Sequence, residues 1–183
     1  MNRTPILKSI ADEYHLLAGK MLQKKTFMKP TSIGYFAGAR IDDIHDIFEK
    51  IHLEKYKKFI DLGSGDGRVV LMAAAYTNAV GVELDDELFA TAQRMQKKLG
   101  VKHGALKKAL FVKKNYLTDI HLGEYDVIFI NPDNPLYELE KKLGKEMKKD
   151  AILIVYNAVY APLNMKLKKT IGVGPSAGFV YTL

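Results

Sequence analysis

The sequence predicts an α/β domain: a mostly parallel seven-stranded sheet with helices on both faces and a C-terminal antiparallel hairpin. Three observations carry this. From Lys58 onward, short and continuously apolar segments alternate with amphipathic helical ones, the pattern of a parallel sheet covered on both sides. The first of these segments runs straight into a glycine-rich turn, Gly63-Ser64-Gly65-Asp66-Gly67. The chain closes with two short strand candidates around Gly174-Pro175, which reads as a hairpin. No repeat, low-complexity tract or linker divides the 183 residues. One domain is expected, with residues 1–52 as an N-terminal helical cap and residues 57–183 as the core.

Taken in order, Pro5 to about Lys25 reads as an amphipathic helix with Ile6, Ile10, Leu17 and Met21 on one face. Thr4 can cap it and Pro5 suits its first position. Residues Met28 to Phe36, broken by Pro30 and Gly34, read as irregular. A second helix spans about Ile41 to Ile51, with Asp42 and Asp43 in its first turn, where the helix dipole favours acids. The core then gives five strands, Phe59–Leu62, Ala79–Glu83, Leu110–Val112, Asp126–Ile130 and Ala151–Tyr156. Helices at about Asp66–Ala75 and Asp86–Leu99 join the first three. A further helix, with Leu136, Leu139, Leu143 and Met147 on one face, joins the last two. Thr170–Val173 and Gly178–Thr182 complete the seven strands.

Composition narrows the function. Hydrophobic residues at 48% and charged residues at 27% exclude disordered and fibrous classes. No apolar run approaches the ~18 residues of a membrane-spanning helix, and Met1-Asn2-Arg3-Thr4-Pro5 has no signal-peptide pattern. There is no cysteine, hence no disulfide, thiolate metal site or cysteine nucleophile, and a cytoplasmic protein is expected. The five histidines are scattered without metal-ligand spacing, so no metal is expected. The net charge is +7, and Phe89 to Thr118 holds Arg94, Lys97, Lys98, Lys102, Lys107, Lys108, Lys113 and Lys114 with no acid among them. Such a run can attract nucleic acid. It lacks interleaved exposed aromatics, however, which favours a solvated lysine-rich face.

The glycine-rich turn is the candidate ligand site, since open α/β sheets bind ligands at the carboxyl ends of their strands. Glycines let the backbone turn tightly and approach a ligand with no side chain between. Glu83 ends the second strand, twenty positions after Gly63, where a carboxylate can accept both hydroxyls of a ribose. The dinucleotide pattern is G-x-G-x-x-G, whereas this chain has G-x-G-x-G. Asp61 and Asp66 would also repel a pyrophosphate. A sulfonium cofactor carrying an ammonium group suits those carboxylates better, which points to S-adenosyl-L-methionine.

The segment Ile60-Asp61-Leu62-Gly63-Ser64-Gly65-Asp66-Gly67-Arg68 resembles motif I of class I methyltransferases, and Gly81-Val82-Glu83-Leu84 resembles their acidic second-strand motif. The resemblance runs from about Tyr35 to the C-terminus and implies a Rossmann-like methyltransferase fold. It implies cofactor contacts from Asp61, Gly63, Ser64, Gly65, Gly67, Glu83 and Leu84. Asn115-Tyr116-Leu117 matches the position where that family contacts adenine. Asn115 stands where the family often has Asp; its carbonyl can accept from an exocyclic amine, or it is a strand-end turn residue.

After the fourth strand, Asn131-Pro132-Asp133-Asn134-Pro135-Leu136-Tyr137 occupies the place of motif IV, often Asn/Asp-Pro-Pro-Tyr in amino methyltransferases. By that resemblance Asn131 and Asp133 are the catalytic candidates, orienting an amine, with Asn131 also near the cofactor. Asp133 replaces the second proline and Tyr137 comes late, which argues against base stacking; Tyr137 is a substrate candidate or a turn residue. More finely, Asp61 to Ala75 is similar to small protein-lysine methyltransferases of archaea and mitochondria. Gly34-Tyr35-Phe36-Ala37-Gly38 sits where those proteins close over cofactor and lysine, so Tyr35 and Phe36 roof the site or pack on the core. The expected function is N-methylation of a protein lysine, with no membrane partner. The alternatives are methylation of an RNA base amine, a small-molecule acceptor, or a non-catalytic nucleic-acid-binding module.

Overall fold

The computed structural model describes residues 3–23, 29–31, 34–157, 159–172 and 177–183. Helix α1 (Thr4–Gln23) leads to a two-stranded antiparallel arm, β1 (Lys29–Thr31) and β2 (Gly34–Phe36), and then to α2 (Ile41–Ile51). The core follows as β3 (Lys58–Leu62), α3 (Arg68–Ala74), β4 (Asn78–Glu83), α4 (Asp86–Lys102), β5 (Leu110–Lys113), β6 (Val127–Ile130), α5 (Tyr137–Glu146), β7 (Ile152–Tyr156), β8 (Lys166–Ile171) and β9 (Gly178–Thr182).

Seven strands form one sheet in the order β5-β4-β3-β6-β7-β9-β8. The first five are parallel, and β9 and β8 close the edge antiparallel. From β3 the chain progresses outward through β4 and β5; from β6 it progresses the other way through β7. The strand order therefore reverses between β3 and β6, and a crevice opens at their carboxyl ends. The three segments singled out in the sequence, after β3, β4 and β6, all emerge at this end.

Alternate residues of each central strand face opposite layers, as the two-residue strand period requires. Phe59, Val127, Phe129 and Ile154 pack beneath α1, α2, α3 and α4. Ile60, Leu62, Ile128, Ile130, Leu153 and Val155 pack against Leu136, Leu139, Leu143 and Met147 around α5. An aromatic row crosses the first layer. Phe48 meets Phe59 edge-on at 5.4 Å, and Phe129 lies 6.3 Å from Phe59 and 6.4 Å from Tyr156. The Tyr156 hydroxyl donates to Asp43 at 2.7 Å. Asp43 thus does more than complement the α2 dipole: it fastens that helix to the sheet.

Three sequence expectations shift. Residues read as irregular around Pro30 and Gly34 supply the β1–β2 arm, a pairing too short for periodicity to reveal. The first hairpin strand runs over Lys166–Ile171 rather than Thr170–Val173; Val173 lies outside the described residues, as does the Gly174-Pro175 turn. Strand β8 is exposed along almost its whole length, so its lysines carry no alternating apolar signal and instead protect an open edge. Helix α1 ends at Gln23, and the Met21 side chain also lies outside the described set. No helix among the described residues is long and apolar enough to cross a membrane.

Helix α4 leaves the carboxyl end of β4 and returns to the amino end of β5. Lys97, Lys98, Lys102, Lys107 and Lys108 therefore cluster toward the end of the sheet opposite the crevice. Lys98 pairs with Glu13 at 2.5 Å, and Lys113, further on, pairs with Asp86.

Candidate active site

The crevice is a cavity of about 400 Å³, within the range of cofactor and substrate clefts. Its floor is the loop after β3, where Gly63 and Ser64 both donate backbone N–H groups to the Val82 carbonyl at 2.9 Å. At Gly63 φ is +74°, and a Cβ there would project into open space rather than protein. That space leaves room for a ligand to lie against bare backbone. Gly65 instead sits beneath the Phe36 ring, where a Cβ would overlap it. Gly67 starts α3 at φ +83° against Ala92 and Phe111, with its absent Cβ only 2.8 Å from each. Of the three motif glycines only Gly63 lines the cavity; the other two shape its floor from behind.

Three acids converge here. Asp66 is bound by Arg68, whose Nη2 reaches it at 2.6 Å, with both side chains nearly buried. The guanidinium also donates to the Ala39 carbonyl at 3.1 Å and lies over the Tyr14 ring. The Tyr14 hydroxyl donates to the Asp66 carbonyl at 2.7 Å, so α1 and the start of α2 buttress the loop. The charge of Asp66 is thereby balanced within the protein by Arg68, and Asp61 faces the cavity without an ion-pair partner among the described residues. Asp61 lines the cavity at 3% exposure and takes no side-chain hydrogen bond from the described residues. Burial, with Glu83 and Asp66 nearby, pushes its carboxyl well above the usual carboxylate range.

Glu83, at the end of β4, is buried and accepts three backbone N–H groups, from Gly65 at 2.7 Å, Leu84 at 2.7 Å and Asp85 at 2.8 Å. A carboxylate has about four acceptor sites, so one remains on the oxygen shared with Gly65. Leu84 lends its amide to this clamp and does not line the cavity.

The opposite wall is the turn after β6. The Asn131 carboxamide donates to the Ala37 carbonyl at 3.0 Å and accepts from Asn157 at 2.5 Å. Asp133 accepts the Tyr35 amide at 2.7 Å on one oxygen and the Asn134 carboxamide at 2.8 Å on the other. A Cβ on Gly34 would overlap the Asp133 carboxylate, so β2 is laid directly onto this turn. Tyr35 and Phe36 both line the cavity, with Tyr35 61% exposed.

The remaining candidates divide. Tyr116 lines the cavity, its hydroxyl raised above the ordinary tyrosine value chiefly by burial and then by Asp133 and Glu83. Asn115 lies outside it: its side-chain Oδ1 accepts the Leu117 amide at 2.9 Å, and its backbone binds Asp119, the work of a strand-end turn. Tyr137 also lies outside. It lines a separate hollow with Met165 and Leu183, because the first turn of α5 points it away while Glu138 faces the cavity. Sequence reasoning missed Arg68 as the partner of Asp66, and it missed Asn157 altogether. Among the described residues no group of three His, Asp or Glu side chains is placed to hold a metal.

The residues suit a cationic, ribose-bearing cofactor. The buried Ser64 hydroxyl has no partner among the described residues, Gly63 leaves room for a ligand, Asp61 faces the cavity and Glu83 retains an acceptor site. Reversed strand order, a glycine loop after the first parallel strand and an acid after the second define the Rossmann-like fold of S-adenosylmethionine-dependent methyltransferases. The solved structures agree on the fold. An RNA methyltransferase from Salinibacter ruber in complex with S-adenosyl-L-homocysteine superposes with TM-score 0.65 at 20% identity, covering 76% of this chain and 88% of that one. The putative methyltransferase yhhF from Escherichia coli gives 0.63 at 18% identity, over 84% and 90%.

Residues 25–170 match the family described as Histone methylation protein DOT1, and the chain belongs to that family. Two curated relatives are named as lysine N-methyltransferases of the C subunit of ATP synthase. The Caenorhabditis elegans protein is 38% identical over 67% of this chain and 63% of its own length. The Homo sapiens protein is 30% identical over 65% and 49%. The chain thus spans about half to three-fifths of the curated relatives it matches.

Proposed function

We propose that the protein methylates a lysine side chain of a protein acceptor, with S-adenosylmethionine as donor. The observation that carries this is the Asp61 carboxyl, buried in the cavity wall beside Gly63 and Glu83 without a hydrogen-bond partner among the described residues. A cation is the ligand that removes the penalty of ionising it. The cofactor supplies a methyl group on a cationic sulfur, electrophilic toward an amine lone pair. In this reading Asp61 faces the cationic part of the ligand, Glu83 accepts a ribose hydroxyl, and Tyr116 and Leu88 border the rest. Phe36 and Tyr35 exclude water from above. Asp133 and Glu138 draw the acceptor ammonium to the mouth, where its proton passes to carboxylate or water. Asn131 holds the wall against which the free amine lies. Positioning of this kind is worth about 7–11 kcal/mol in well-oriented systems.

The distribution of charge favours protein over RNA. The mouth carries Asp133, Glu138 and the exposed Tyr35 and Val159. The lysines of α4 lie toward the far end of the sheet. A phosphate backbone binds through lysine and arginine, and a lysine-bearing peptide suits acids and an aromatic. The relatives' names make the C subunit of ATP synthase the first acceptor to test.

The test incubates the protein with methyl-labelled S-adenosylmethionine and either that acceptor in purified form or total cell extract. Aliquots are then treated with protease or with ribonuclease. Label released by protease, and located on lysine by mass spectrometry, supports the reading. Label released only by ribonuclease replaces the acceptor with RNA, and no transfer together with no cofactor binding by calorimetry removes the enzyme reading.

A further inference from the structure

We infer that Asn157, immediately after β7, is a positioning residue that fixes the wall of the reaction site by orienting the Asn131 carboxamide. Its backbone φ is +78°, the left-handed region that residues with a Cβ avoid and that asparagine tolerates better than most. Among the described residues only one other non-glycine has a positive φ, His52, and that residue ends α2. A helix end accounts for His52. Asn157 ends no helix and lines the cavity, and such backbone persists where its surroundings enforce it.

The side chain shows what enforces it. Its Nδ2 donates to Asn131 Oδ1 at 2.5 Å and approaches the Pro132 carbonyl at 3.5 Å. Its Oδ1 accepts the Val159 amide at 3.0 Å, and its own N–H donates to the Ala177 carbonyl. Because Asn157 takes the Asn131 oxygen, the Asn131 amino group is directed toward Ala37. A relay therefore runs from Val159 through Asn157 and Asn131 to Ala37. It joins the chain after β7, the turn after β6 and the arm over the site. Rotating the Asn131 amide by half a turn would set donor against donor at one end and oxygen against oxygen at the other.

Glycine and aspartate separate the two properties of Asn157. Asn157→Gly keeps the left-handed backbone and deletes the bridge. Asn157→Asp keeps the shape and the Val159 contact but presents an oxygen to Asn131 Oδ1 and the Pro132 carbonyl, where a donor is required. This inference rests on the methyl-transfer reading for its kinetics and on the geometry alone for its second readout. Positional errors at reaction sites cost up to about 100-fold, so both variants should lower kcat for the acceptor by about 10–100-fold. Asp should be the worse, with cofactor Kd held within about twofold. Hydrogen exchange, measured without cofactor or acceptor, should speed up at residues 34–37 and 131–134 in both variants, while β3, β4 and β6 stay protected.

Wild-type exchange at the arm and turn in both variants overturns the proposal whatever the enzyme does. So does kcat that falls only in parallel with a loss of cofactor affinity and melting temperature. Faster exchange at the arm and turn in a protein whose wild type binds no cofactor upholds the relay and defeats only the methyl-transfer reading.

Discussion

The backbone N–H of Tyr35 donates to the Asp133 carboxylate at 2.7 Å, across 98 positions of sequence. This bond lays the arm on the turn after β6 and gives Asp133 a task apart from chemistry, since its other oxygen is held by Asn134. Removing the carboxylate should free the roof without disturbing the cofactor floor, which belongs to the loops after β3 and β4.

Asp133→Ala is therefore expected to lower turnover by about 5–30-fold, the equivalent of losing a charge-assisted bond of about 1–2 kcal/mol. Cofactor affinity should change by less than about twofold. Asp133→Asn keeps an oxygen for Tyr35 and should fall between. Steady-state kinetics beside calorimetry checks this; wild-type turnover in the alanine variant would exclude Asp133 from the reaction site.

Glu83 calls for a different signature. Its three amide partners, Gly65, Leu84 and Asp85, shape the floor before any ligand arrives. Glu83→Ala should weaken cofactor binding by about 1–3 kcal/mol and also lower the melting temperature, since three N–H groups lose their acceptor. Glu83→Gln should not restore either property fully. Its amino group must face Gly65 or the Leu84–Asp85 pair, and both offer only donors. An unchanged dissociation constant in the alanine variant would end the ribose assignment.

Asp61 is expected to make cofactor binding depend on pH. Its carboxyl is raised by burial first and by Glu83 and Asp66 second. Between the ordinary carboxylate value and this raised one, the folded protein holds a proton that the unfolded chain has released. Stability thus falls as pH rises through that window. A cationic ligand favours the ionised form, so affinity should rise over the same window and binding should release protons. Calorimetry in buffers of different ionisation enthalpy measures that release. Asp61→Asn should abolish it, weaken binding and stabilise the unliganded protein above the window. Proton release equal to wild type in that variant would show that another group is responsible.

Most of the core was legible because its signals are local. Apolar strands bounded by turns mark the parallel sheet, and the loop from Gly63 to Gly67 with Glu83 marks its ligand end. What escaped depends on pairing between distant residues. Nothing near Asp133 announces that it will accept the Tyr35 amide, and nothing near Asp43 announces Tyr156. Arg68 stands two residues from Asp66, close enough to suggest a pair, yet the burial that makes the pair matter comes from Tyr14 and Ala39, far back in the chain. The lysines of β8 hid a strand because an exposed edge has no buried face to alternate with. Asn157 left one faint mark, an asparagine directly after an apolar strand, where a left-handed residue often turns the chain.

The pair of Arg68 and Asp66 tests how far the loop depends on its buttress. Both side chains are close to buried, at 11% and 3% exposure. Aspartate within this pair has no water to replace a lost partner. Arg68→Ala should cost about 3–5 kcal/mol, because it strands a buried carboxylate, and a denaturant midpoint reports it directly. Arg68→Lys keeps the charge but loses the two-pronged grip on Asp66, the bond to the Ala39 carbonyl and the stacking over Tyr14, so it should recover only part. Arg68→Met with Asp66→Asn removes both charges together and should be more stable than Arg68→Ala alone, although it contains one more substitution. If the double variant proves no better than the single one, the loss comes from packing beneath Gly38, where a guanidinium fills the space a Cβ would take, and not from the stranded charge.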